Sequence, residues 1–258
     1  MSKVKIAAVI PARMASSRYP GKPLIDVEGL PMIEHVRRRT LMCDSFSDVV
    51  VATCDRDIFD IVKQYGGEVI MTSIEHEMAS DRVAEAAESL NCTHVVNVQG
   101  DEILILPEDL SRMVEAISKS PEKMYWNATA SIDSESELAN TSIVKCVLTN
   151  NKKVMYCSRD FSLLKTTDGF KPLNIILGIM GYTRKSLNKF QELPRTPLEV
   201  TQSIDQLRII ESGLELLSVS FSAGYLGINE PREVAIVKKI LKTDERQKQV
   251  LDQILNSY

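Results

Sequence analysis

Short apolar runs of strand length alternate with amphipathic stretches through the first half of this chain, and no other feature constrains its fold as much. Val4–Ile10 ends at Pro11, Asp48–Thr53 precedes a helical pattern over Asp55–Tyr65, Glu68–Met71 follows a Gly66-Gly67 stop, and His94–Val98 ends at Gln99-Gly100-Asp101. Brief apolar runs bounded by Pro and Gly read as buried strands, while apolar residues three and four apart mark one helix face. Pro31 opens a helix through Met42 with Met32, Ile33, Val36 and Thr40 inward, Ser80 caps a helix to Leu90, and Pro107 starts another through Ser118. This alternation predicts an α/β fold with a mostly parallel sheet, helices on both faces and right-handed crossovers. Ligands of such sheets bind beyond the carboxyl ends of the strands. The 11–23 loop and the Gly100-Asp101 turn both fall at that edge.

The second half is less regular. Ile143–Leu148 and Val154–Cys157 flank Asn150-Asn151, which predicts an inserted antiparallel hairpin layer. Tyr125 and Trp126 start a strand, as core or dimer contacts, and Asn174–Thr183 is another. Leu198–Ser212 reads as a helix, Leu214–Phe221 as a strand, and Pro231 opens a helix carrying Val234, Val237, Ile240 and Leu241. No linker or repeat divides the 258 residues, so the expectation is a single domain over 1–258 with a hairpin and dimerisation subregion at about 125–210.

Composition excludes several classes. At 44% hydrophobic and 26% charged the chain buries a core and is not disordered. A net charge of −4 leaves no chain-wide basic field for nucleic acid. The longest apolar segments, Ile6–Ile10 and Ile175–Met180, fall far short of the roughly 18 residues of a membrane span, so no membrane insertion is expected. The N-terminal apolar run is too short for a signal peptide. Five scattered cysteines without a C-x-x-C predict free thiols in a reducing cytoplasm, and the spacing of His35, His76 and His94 argues against a zinc site. His35 reads as a packing or capping residue, and His76 as a turn residue that could approach a nucleotide.

Charge is nevertheless uneven. Lys3, Lys5, Arg13, Arg18 and Lys22 lie in the first 25 residues, which contain no acid. Three of them stand in the loop Pro11-Ala12-Arg13-Met14-Ala15-Ser16-Ser17-Arg18-Tyr19-Pro20-Gly21-Lys22-Pro23. Guanidinium forks match phosphate oxygens, lysine supplies a point charge, and backbone amides near a glycine add donors. A solvated basic loop is the bland alternative; its place at a strand end favours phosphate binding. Neither G-x-G-x-x-G nor G-x-x-x-x-G-K-[ST] occurs, which disfavours dinucleotide dehydrogenases and P-loop NTPases. Asp101, behind a glycine at another strand end, suits a Mg²⁺ ligand, against the commoner fate of Gly-Asp as a surface turn.

These residues together resemble the cytidylyltransferases that activate 3-deoxy-manno-octulosonate and related sugar acids. The likeness runs through the N-terminal loop, Gly29-x-Pro31-Met32-Ile33-x-His35-Val36, Val51-Ala52-Thr53, Gly66-Gly67-Glu68-Val69-x-Met71-Thr72, His76 with Asp81-Arg82, and Val96-Asn97-Val98-Gln99-Gly100-Asp101-Glu102. Weaker echoes follow at Tyr156-x-Ser158-Arg159, Gly178-Ile179, Leu198-Glu199 and Ser203-x-Asp205-Gln206-Leu207-Arg208.

The resemblance implies a Rossmann-like nucleotidyltransferase sandwich. It implies CTP and a small acidic acceptor as partners, Mg²⁺ as cofactor, and a cytoplasmic homodimer. Arg13, Lys22 and Asp101 become the catalytic residues. Pro11, Ala12, Arg13, Ser16, Ser17, Lys22, Arg82, Gln99 and Gly100 bind nucleotide. Asp101 and Asn229 bind metal, and Gln99, Ile176, Met180, Asp205 and Gln206 bind the acceptor.

The departures are informative. Asn229 replaces an aspartate in the run Gly227-Ile228-Asn229-Glu230-Pro231, where Glu230 is a candidate compensating acid. Met78-Ala79-Ser80 replaces a Ser-Gly-Thr stretch, Ile103 a proline, and Asp205-Gln206 a Glu-Gln pair. Ile176 and Met180 stand where the family places a histidine and a tyrosine against the sugar acid. The expectation is retained nucleotide binding with a changed acceptor: a modified sugar acid, or alternatively a phosphonate. A regulatory module that has lost catalysis is the rival from another class.

Overall fold

The computed structural model describes residues 4–16, 18–161, 173–224 and 226–256. The first half follows the alternation. β1 (Ile6–Ala12) leads through a 3-10 turn (Lys22–Leu24) and a small ribbon of β2 (Asp26–Val27) and β3 (Leu30–Pro31) into α1 (Met32–Leu41). Then come β4 (Asp48–Thr53), α2 (Arg56–Gln64), β5 (Glu68–Met71), α3 (Ala79–Glu88), β6 (His94–Val98) and α4 (Pro107–Lys119). The second half contributes β7 (Tyr125–Ser131), α5 (Glu135–Ala139), β8 (Lys145–Leu148), β9 (Val154–Ser158), β10 (Leu173–Thr183) and α6 (Arg184–Glu192). It ends with α7 (Pro197–Gln202), α8 (Gln206–Glu211), β11 (Leu217–Ser220), α9 (Pro231–Thr243) and α10 (Glu245–Asn256).

Among the described residues the main sheet has nine strands, with the path β11-β7-β10-β6-β1-β4-β5. β1, β4, β5 and β6 are parallel, and β10 runs antiparallel between β6 and β7. The β8–β9 hairpin joins the sheet through β10. Because β10 is reversed, its first half lies at the edge where β1 and β6 end. A register shift between Ile176 and Met180 loosens its pairing with β7 there.

Four sequence expectations are corrected. Pro11 and Ala12 belong to β1, because pairing with β4 continues through Pro11–Ala52 and Ala12–Thr53. Contact with β6 stops at Val9, so Pro11 needs no amide hydrogen on that side. The single helix over Leu198–Ser212 is two short helices, broken at Ser203 with φ 53°. The buried Glu199 of α7 holds Arg208 of α8 by two hydrogen bonds, 2.8 and 2.5 Å, which folds one helix back on the other. The last strand shortens to Leu217–Ser220. The expected hairpin forms as β8–β9, and its turn takes a left-handed residue at Lys152.

The one-faced reading of α1 is the fourth correction. Met32 through Thr40 are all buried, because α10, an element the sequence reading does not assign, covers the polar side. Glu34 accepts two hydrogen bonds from Arg37 (2.8 and 2.7 Å) and one from Arg38 (3.2 Å). Arg38 also caps the Ile254 carbonyl at 2.6 Å, and Arg39 reaches Gln247 at 2.8 Å. Buried charges are tolerable here because each is hydrogen-bonded. His35, on the same helix, donates from Nε2 to the Val27 carbonyl at 2.6 Å.

Burial lowers the pKa of His35 from 6.5 to about 4, with the Arg39 charge adding to the effect. Below pH 6.5 the unfolded chain takes up a proton that the folded one refuses. Stability is therefore lost as pH falls from 6.5 towards 4, by about 3 kcal/mol for this residue. Urea unfolding at pH 7.5 and pH 5 should show the drop, and His35→Gln should flatten it.

Candidate active site

Three segments that are remote in sequence meet at the carboxyl edge of the sheet. Gly21, with φ 75°, turns the basic loop into the 3-10 turn. That turn sends Lys22 Nζ to Asp101 Oδ2 at 2.6 Å and to the Ile228 carbonyl at 3.2 Å. Asp101 follows Gly100, where a Cβ would stand 2.8 Å from the Pro11 carbonyl oxygen, so a side chain there would push the turn off β1. On the third segment, Asn229 Oδ1 accepts a hydrogen bond from Arg18 Nη2 at 2.9 Å.

A cleft of about 260 Å³ opens beside this junction. Pro11, Ala12, Arg13, Ser16, Lys22, Arg82, Gln99, Gly100 and Asp101 all line it. Ser17 lies outside the described residues. Met78 and Ala79, noted as departures, form part of the same wall. Arg82 is buried and donates to Thr72 Oγ1 at 2.5 Å, which fixes its guanidinium at the cleft. His76 also reaches this wall, where Glu85 holds it. The Ser73 amide donates to the same carboxylate at 2.9 Å and is the largest cause of its lowered pKa.

A larger cavity of about 560 Å³ adjoins the first, and Arg18, Gln99 and Asp101 line both. Ile176, Met180, Asp205, Gln206 and Asn229 all face it. The sequence reading missed Asn97 and Glu102 as lining residues, and quoted Arg159 only as an echo. Glu102 Oε1 accepts the Gly178 amide at 2.8 Å, while Oε2 is buried without a partner. Burial, and then the charge of Asp101, push its carboxyl up to about 8.

Arg159 places four of its five N–H donors on the carbonyls of Gln202, Thr141, Ser142 and Ser203 at 3.0–3.3 Å, which leaves one Nη2 hydrogen for a ligand. Burial and the nearby charge of Arg18 both pull its pKa down. Among the described residues neither arginine has a carboxylate partner. Two such guanidiniums on one cavity form a site for an anion. Glu230 does not compensate for Asn229, since its carboxylate turns to Arg232 at 2.8 Å.

The comparisons agree with this geometry. The model of the family described as Cytidylyltransferase matches residues 7–217. A 3-deoxy-manno-octulosonate cytidylyltransferase of Trichlorobacter lovleyi is 35% identical over 250 residues, covering 93% of this chain and 99% of its own length. One from Zea mays is 34% identical over 244 residues, covering 93% of this chain and 82% of its own. A solved structure of CMP:2-keto-3-deoxy-manno-octonic acid synthetase complexed with CTP superposes with a TM-score of 0.87 at 32% identity, over 93% of this chain and 99% of that one. The fold and the paired clefts define a CTP-dependent nucleotidyltransferase. Identity at this level over nearly full length then decides the branch. The chain belongs to the 3-deoxy-manno-octulosonate cytidylyltransferase family.

Gly178 is where the site tolerates least. A Cβ there would lie 2.6 Å from Glu102 Oε1 and 2.9 Å from Gln99 Cγ. Gly178→Ala should destabilise the protein by about 1–3 kcal/mol, the usual cost of overpacking. It should also raise KM for the acceptor more than KM for CTP, measured by steady-state kinetics.

Proposed function

We propose that this chain transfers CMP from CTP to a hydroxyl of a small acidic acceptor, a 3-deoxy sugar acid related to 3-deoxy-manno-octulosonate, and releases pyrophosphate. The observation that carries the reading is the shared wall. Arg18, Gln99 and Asp101 border both cavities, so a nucleotide in one and an acid in the other meet there. Arg13 and Lys22 hold the phosphates, with Ser16 at the same cleft. Arg18 and Arg159 hold the acceptor carboxylate. The acceptor hydroxyl attacks the α-phosphorus in line, releases its proton to solvent as the new P–O bond forms, and the bond to pyrophosphate breaks. Holding two reactants at one junction removes most of the entropic cost of their encounter.

The residues fit a Mg²⁺ ion. Asp101 offers a carboxylate and Asn229 an amide oxygen, both hard donors on one cavity. Among the described residues no three carboxylates, cysteines or histidines cluster as a metal cage. That suits a cation which keeps water and phosphate oxygens in its shell. Bound there, Mg²⁺ would neutralise phosphate charge.

We place a homodimer contact within 125–210. Among the described residues β8 is the strand that pairs with β9, which exposes Met155 and Tyr156, while α7 exposes Leu198 and Val200. Four of the five free cysteines are buried, which suits a reducing cytoplasm.

Three measurements test this reading. Pyrophosphate release from CTP should require both Mg²⁺ and a sugar acid. CTP binding with no release from any acid would leave a nucleotide-binding module instead. Lys22→Ala should raise KM for CTP at least tenfold, since a charge-assisted hydrogen bond is worth about 1.5–3 kcal/mol. Asn229→Asp should tighten Mg²⁺ binding in calorimetry. An unchanged affinity would remove position 229 from the metal site.

A further inference from the structure

One wall of the acceptor cavity has spent its hydrogen-bond donors inward. Asn97, Met180 and Asn127 stand in register across β6, β10 and β7, so their side chains share one face. Asn127 gives both amide hydrogens to carbonyls, Ala128 O at 2.7 Å and Leu177 O at 3.0 Å. Its Oδ1 must therefore accept, and it does so from Gln206 Nε2 at 2.8 Å. The second hydrogen of Gln206 goes to Met180 Sδ at 3.5 Å, and Tyr182 donates its hydroxyl to the same sulfur at 3.2 Å. This network fixes the amide orientations of Asn127 and Gln206 without appeal to a ligand. What it leaves for the cavity is oxygen. Asn97 Oδ1 is buried with no partner, and Gln206 keeps Oε1.

Asp205, beside Gln206, adds a carboxylate. Among the described residues no donor reaches it. The cations whose charge acts on it, Arg208 and Arg195, are both turned to Glu199. Ile176 and Met180 line the same cavity and bring no hydrogen-bond donor to it. A hydroxyl brings one donor together with lone pairs that this wall would repel. A protonated amine brings three donors, a positive charge and no acceptor.

We propose that the acceptor is a zwitterionic sugar acid, with its carboxylate on Arg18 and Arg159 and a protonated amino group on Asp205, Gln206 Oε1 and Asn97 Oδ1. The proposal rests on the cytidylyl-transfer reading and narrows it. Met180 acts as a positioning residue: its sulfur holds the Gln206 amide hydrogen that would otherwise face the ligand.

The test is pyrophosphate release with CTP and Mg²⁺ from the whole protein, comparing 3-deoxy-manno-octulosonate with its mono-amino analogues, each carrying an amine in place of one hydroxyl. At least one analogue should exceed the parent acid tenfold or more in kcat/KM. Asp205→Asn should reduce that ratio to about one, with KM for CTP read in parallel to separate misfolding from lost recognition. Met180→Leu keeps the volume and frees a Gln206 hydrogen, so it should lower the same ratio even if the Asp205 variant fails to fold. Release with the parent acid and equal or poorer turnover of every amino analogue overturns this proposal and leaves the transfer reading standing. No release with any acid overturns both.

Discussion

The contact between Lys22 and Asp101 is the point on which this site depends. It ties the loop after β1 to the turn after β6, and through the Ile228 carbonyl it ties both to the segment before α9. At 2.6 Å it neutralises a carboxylate that would otherwise stand beside the buried Glu102. The same ammonium is the natural partner of a nucleotide phosphate. In the proposed reaction a triphosphate entering the cleft competes with Asp101 for Lys22 and leaves the carboxylate without its cation partner. On that reading nucleotide arrival and Mg²⁺ binding would be coupled through one side chain.

The nucleotide side was legible because its residues are local. Arg13, Ser16 and Lys22 lie within ten residues of one another, and Gln99, Gly100 and Asp101 are consecutive. Strand ends place such short segments reliably, since parallel strands all deliver their carboxyl termini to one edge. The structure added the reason for the glycine at position 100: the turn packs against the Pro11 carbonyl.

The acceptor side was legible only in part. Ile176 and Met180 could be read from their spacing along a strand, but Asn97 and Glu102 could not, because their role comes from β10 lying antiparallel beside β6. Antiparallel insertion into a parallel sheet leaves no local signature. The break at Ser203 was equally hidden. Leu198–Ser212 carries helical spacing throughout, and only the long-range pairing of Glu199 with Arg208 makes two helices better than one. The burial of α1 on all sides was hidden for the same reason, since its arginines look solvent-facing until α10 is laid over them.

These two kinds of legibility separate a cleft built from strand ends from a wall built from side chains within one molecule. The phosphate cleft is built from backbone turns and cations whose geometry is set by the strand ends, so a single substitution there disrupts the site. The acceptor wall is built from side-chain amides whose directions depend on one another. Asn127 fixes Gln206, and Met180 decides whether Gln206 has a hydrogen to spare. Replacing a polar residue by methionine at position 180 therefore does more than remove one contact. It leaves the wall presenting oxygen atoms to the cavity, while Arg18 and Arg159 supply the positive charge on its other side.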